Sequence, residues 1–138
     1  LVALLPCKPD RATRPVALGA TAVDVTMAGC EAGRATFAVA QVMAGDRAQA
    51  DLWLAAWQAQ ARLAWPGARD ETAATVAHAD ASPPARRSSG QANGARIEVL
   101  WFSQAKAGGG VAGYQATVLG QPSEPTAATT FFEGLQLP

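Results

Sequence analysis

Apolar and polar positions alternate with a period of two through several stretches of this chain, and with a helical period through one long stretch. Within Val16–Met27, Val23, Val25 and Met27 alternate with Asp24 and Thr26, the pattern of a strand with one face in solvent. Gly29-Cys30-Glu31-Ala32-Gly33 reads as a turn. Beyond it Ala35, Phe37 and Val39 alternate with Thr36, Ala38 and Ala40, so the two runs predict a hairpin. The opening Leu1–Cys7 reads as an earlier strand. Asn93-Gly94 is a strong hairpin signal, because a tight turn needs positive φ at both central residues. In the following run, Ala95–Phe102, Ile97, Val99 and Trp101 face one way while Leu100 and Phe102 face the other, which predicts a strand partly covered on both sides. Gly108-Gly109-Gly110 then reads as a hairpin tip leading into a strand over Gly113–Leu119.

The helical stretch starts at Asp46, whose side chain suits an N-cap, and runs to about Trp65 before Pro66-Gly67 stops it. Leu52, Ala56, Ala59 and Leu63 share one stripe and Trp53, Trp57 and Ala64 an adjoining one, with Asp51, Gln58 and Arg62 on the solvated side. The wide apolar face predicts a helix lying across a sheet. Ala68–Ser89 is weakly patterned, with a short strand expected over Thr72–His78 and a loop at Ser82-Pro83-Pro84. The chain closes on a helix over about Thr126–Glu133 that carries Phe131 and Phe132, which are expected to anchor it to the core with Tyr114.

Strands interrupted by two helices, without regular β-α alternation, predict one α+β domain over residues 1–138 with a mostly antiparallel sheet. Hydrophobic residues make up 49% and charged residues 16%, which excludes a disordered chain. Much of the apolar share is alanine, so the aromatics must anchor the core. The formal net charge is zero, which argues against a nucleic-acid partner. The chain opens on Leu rather than Met, so an N-terminal segment is expected to have been removed, and membrane association would run through that segment. Leu1–Cys7 also invites a lipoprotein reading with Cys7 acylated, but Pro6 stands where a small residue should precede the cysteine. Cys7 and Cys30 allow one internal pairing, a disulfide if their runs are neighbours; two buried free thiols are the alternative.

Candidate chemistry is sparse. His78 is the single histidine, and no Gly-x-Ser-x-Gly elbow or close cysteine ligand spacing accompanies it, so it reads as a surface residue. The carboxylates form no motif, and the triple glycine lacks the lysine of a phosphate loop. No catalytic residue, metal or cofactor is expected. Arg86-Arg87 suits an anion, or merely a solvated loop. Trp53 and Trp57, one helical turn apart, either pack on the sheet edge or leave an apolar patch for a partner. With Arg86 and Arg87 they form the candidate interaction surface.

Leu5-Pro6-Cys7-Lys8-Pro9, the segment Gly29–Val39, and Tyr114-Gln-Ala-Thr-Val with Phe131-Phe132-Glu-Gly-Leu-Gln-Leu together resemble exported bacterial proteins of the PsbP-like superfamily, which also includes Mog-type and DcrB-type proteins. That resemblance implies an antiparallel sheet with helices on its faces (an α/β/α sandwich), a periplasmic or envelope location, and a role in binding rather than catalysis. The expected function is therefore a non-enzymatic accessory or protein-interaction domain with an unidentified protein partner, monomeric or homodimeric through a sheet edge. The alternative is a small-ligand binder or weak hydrolase with a groove near His78.

Overall fold

The computed structural model describes residues 1–3, 5–67, 70–92, 94–122 and 126–138. Among these, the elements run in the order β1 (Asp10–Leu18), β2 (Thr21–Ala32), β3 (Ala35–Ala44), α1 (Arg47–Ala64), β4 (Asp70–Ala73), β5 (Arg86–Ala92), β6 (Ala95–Ala105), β7 (Val111–Gly120) and α2 (Ala127–Glu133). All seven strands join one antiparallel sheet in the order β1-β2-β3-β7-β6-β5-β4. Two meanders, β1–β3 and β4–β7, are thus connected by α1 and closed by the β3–β7 pairing. The fold is α+β.

Local chemistry explains the elements. Asp46 caps α1, its Oδ1 accepting from the Gln49 backbone N–H at 2.8 Å, while Gln49 Oε1 accepts from the Gly45 N–H at 2.7 Å. The β2–β3 hairpin turns on Gly33 and Arg34, with φ of 52° and 72°, the positive pair a two-residue turn requires. Lys106–Gly110 closes the β6–β7 hairpin through the Lys106 N–H to the Gly110 carbonyl at 2.7 Å. Asn93 lies outside the described residues, but β5 and β6 pair on either side of the predicted turn.

Strand alternation sorts the core into two sides. Ile97, Val99 and Trp101 of β6 join Val23, Val25, Ala40 and Val42 beneath Leu54 and Trp57 of α1. Leu100 and Phe102 join Phe37, Tyr114 and Val118 beneath Phe131 and Phe132 of α2. Both phenylalanines are buried, as is Tyr114, so the closing segment anchors the core as its sequence predicts.

Four expectations need correction. The described residues of Leu1–Cys7 form no strand but a single bridge, Val2 to Gln136, and Pro6 lacks a backbone donor. The first strand is instead Asp10–Leu18, an edge strand whose exposed, charged sequence carries no alternation, and a turn at Gly19-Ala20 divides Val16–Met27. The turn after β2 is narrower than expected, because the strand continues through Gly29 and Cys30. Finally, α1 is rotated from the predicted stripe. Ala50, Leu54 and Trp57 are buried, whereas Leu52 and Leu63 are 71% and 84% exposed. Smaller differences occur in the weakly patterned region, where the strand predicted over Thr72–His78 is Asp70–Ala73 and the polar strand β5 had no apolar signal.

Candidate functional site

Direct partners in the sheet register set the floor of the site. Thr26 pairs with Gln41, Ala28 with Val39, and Cys30 with Phe37. Phe37 and Val39 belong to the α2 side of the core, so Cys30 faces that side as well. Cys7 reaches Cys30 from the segment before β1, with Cα atoms 5.9 Å apart, and the two form a disulfide. The second anchor is the Val2–Gln136 bridge, whose two backbone hydrogen bonds measure 2.8 and 2.9 Å. Leu1, Ala3 and Leu5 pack against the α2-side core between these anchors. Residues 1–3 and 5–9 therefore form a strap across one flank of the sheet.

The strap leaves an open groove of about 340 Å³. Leu1, Leu5 and Val39 line it with apolar surface, and Arg11, Thr26 and Gln41 add one cation and neutral hydrogen-bonding groups. That combination suits non-covalent capture of an apolar group bearing an acidic or polar end. Sequence reasoning missed Arg11, Thr26 and Gln41 because they share no motif. The signal available was the cysteine pair, since bonding Cys7 to Cys30 draws the opening residues over β2.

The predicted interaction residues are dispersed. Trp57 is 6% exposed and its ring meets Trp101 edge to face at 5.4 Å, so it belongs to the core and not to an open flank. Trp53 is half-buried and lines a neighbouring, more open concavity with Thr21, Asp24 and Met43, which shares Thr26 and Gln41 with the groove. Arg86 and Arg87 are neighbours on β5 and so project to opposite faces. Arg86 reaches Glu71 at 3.4 Å beside Trp101 and Arg62, on the α1 side. Arg87 bonds Glu98 at 2.7 Å and stacks its guanidinium 4.6 Å from the centre of the Phe132 ring, on the α2 side. The two arginines cannot grip one anion together.

His78 is exposed, has φ of 68°, and lines neither the groove beneath the strap nor the concavities beside Trp53, Trp65 and Pro83. Its loop is fastened nearby: the Asp80 carboxylate accepts from Arg47 and from the Ala105 N–H at 2.8 Å, and Arg47 also donates to Ser103 Oγ at 3.0 Å. Among the described residues no group of three or more His, Cys, Asp or Glu is placed to hold a metal ion. Nor is any described helix long and apolar enough to cross a membrane. No protein-family model, curated protein or solved structure matches this chain.

Proposed function

We propose that this protein is a non-catalytic accessory domain of an exported, envelope location, which binds an extended segment of a partner protein in the groove beneath the strap. The observation carrying this reading is the Cys7–Cys30 bond, which holds the strap over the β1–β2–β3 flank and keeps a half-open trough of mixed apolar and polar lining beside Arg11. A disulfide in a small domain favours an oxidising compartment. The finer fold assignment, a PsbP-like α/β/α sandwich, rests on the packing of α1 and α2 against separate core clusters and on the sequence resemblance. Arg11 selects the occupant: an apolar side chain followed by a carboxylate satisfies both the trough and the guanidinium.

The test is site-specific photo-crosslinking from Thr26 in the cell envelope, with and without Arg11→Glu. A discrete protein adduct that disappears in Arg11→Glu is expected. No adduct, or one indifferent to the charge reversal, overturns the reading.

A second reading is favoured by the groove's volume, which lies at the lower end of small-ligand sites. Here the occupant is a small amphiphilic carboxylate. Native mass spectrometry of the protein purified from its own envelope distinguishes the two, since only this reading leaves a small adduct on the isolated chain. The groove near His78 anticipated for a ligand or hydrolytic role gains no support from the geometry.

A further inference from the structure

The outward face of α1 carries two leucines that the fold leaves uncovered, Leu52 and Leu63, 71% and 84% exposed. They are eleven residues apart, about three turns or 16 Å along the axis, and so share one face. Ala48, Ala55 and Ala59 lie between and beside them, also exposed. The charges flanking this stripe are arranged with opposite polarity at its two ends. Asp51 sits beside Leu52, and Arg62 beside Leu63, both on the same side of the stripe. Each already has one partner within the chain, Arg47 at 3.5 Å from Asp51 and Glu71 at 3.5 Å from Arg62, and both pairs are solvent-exposed and so weakly held.

From this pattern we infer that α1 is a homodimer interface in which two copies of the helix pack antiparallel about a two-fold axis near residues 56–57. A two-fold of that kind brings the Asp51–Leu52 end of one helix against the Arg62–Leu63 end of the other. Each leucine then meets a leucine, and each acid meets a base, twice by symmetry. The alanines at the centre let the axes approach closely. A parallel pairing instead puts the two copies of Asp51 on opposite flanks of the seam, and likewise the two of Arg62, so no acid meets a base across it. The sheet edge is a poorer route to self-association. On β1, residues 10–15 are exposed and carry Asp10, Arg11, Arg14 and Pro15, which blunt strand addition, and β4 is four residues long.

One helix pair is a small interface, so the dimer is weak and concentration-dependent. Sedimentation velocity from about 1 μM to about 500 μM should show the 14.1 kDa protomer giving way to a species of twice that mass. Leu63→Glu, or Leu52→Glu, should raise the dissociation constant about tenfold or more while leaving the circular dichroism spectrum unchanged. Asp51→Arg and Arg62→Asp should each weaken the dimer several-fold, and the double reversal should restore it. A protomer that stays monomeric throughout overturns the inference and leaves the face to an unlike partner. A dimer indifferent to both leucine substitutions, or one the double reversal does not restore, overturns it equally.

Discussion

The rings of Trp57 and Trp101 meet edge to face with centroids 5.4 Å apart, and this contact joins the middle of α1 to the middle of β6. Both residues are buried, at 6% and 5% exposure, whereas Trp53 one turn earlier is only half-buried. Removing Trp57 leaves a cavity at the centre of the α1 side of the core. We expect Trp57→Ala to cost about 3–5 kcal/mol in urea unfolding, and Trp53→Ala less than half as much. Equal costs would show that the helix is rotated from the orientation described.

That rotation marks where the sequence ceased to be legible. The β2–β3 hairpin, the α1 cap and stop, the double-sided burial of β6 and the closing aromatic anchor all follow from short-range patterns. The helix face does not, because α1 offers apolar residues on most sides. Ala50, Leu54 and Trp57 form one stripe; Leu52, Ala59 and Leu63 form another. The choice between them depends on what lies opposite in the sheet, and the chain's own periodicity carries no such information. The edge strands β1 and β5 were hidden for a different reason. Polar, exposed residues pair through their backbones, and that leaves no hydrophobic signature. The groove shares this limitation, since Arg11 and Gln41 come together only through the sheet register and the disulfide.

Gly113 of β7 lies directly under α1, and its lack of a side chain sets how closely the helix approaches. A β-carbon there would come within 3.1 Å of Leu54 Cδ2 and 3.2 Å of Val42 Cγ2. Gly113→Val has no room for its further methyl groups and should cost about 1–3 kcal/mol. In a Leu54→Ala background the same substitution should cost less, because the vacated space receives it. A double-mutant cycle with no coupling would place the crossing point elsewhere.

Phe131 is 1% exposed and its ring stands edge-on to Phe37 at 5.5 Å, so α2 is fixed mainly by that residue. Phe131→Ala should cost about 3–5 kcal/mol. Phe132 is slightly more exposed and supports the Arg87 guanidinium, so Phe132→Ala should cost somewhat less while increasing the mobility of Arg87. Chemical denaturation of both variants checks the order, and a smaller loss for Phe131 than for Phe132 would contradict it.

Asp80 fastens the loop between β4 and β5 to the end of β6. Its carboxylate accepts from Arg47 and from the Ala105 N–H, and its own N–H donates to the Ser103 carbonyl at 2.8 Å. The Arg47–Asp80 pair is partly exposed, so solvent screens some of its strength. Asp80→Ala should therefore destabilise the fold by only about 1–2 kcal/mol. Its clearer signature is local: amide exchange at Ala105 should accelerate while exchange in the middle of β7 stays unchanged. Protection at Ala105 equal to that of the unaltered protein would remove the fastening role.

The Cys7–Cys30 bond closes a chain segment with a sequence separation of 23 residues, and restricting that segment in the unfolded state should contribute about 3 kcal/mol. The double substitution Cys7→Ser with Cys30→Ser is expected to lower stability by that amount. The unaltered protein, denatured without reductant, should release no titratable thiol. Losing the bond also leaves the strap with the Val2–Gln136 bridge as its remaining backbone anchor. An isolated bridge of two hydrogen bonds opens readily, so exchange at the Gln136 amide should quicken in the serine variant, together with loss of any occupant of the groove. If Gln136 remains as protected as before, the opening residues are held by their apolar packing alone, and the disulfide stabilises the domain without shaping its binding surface.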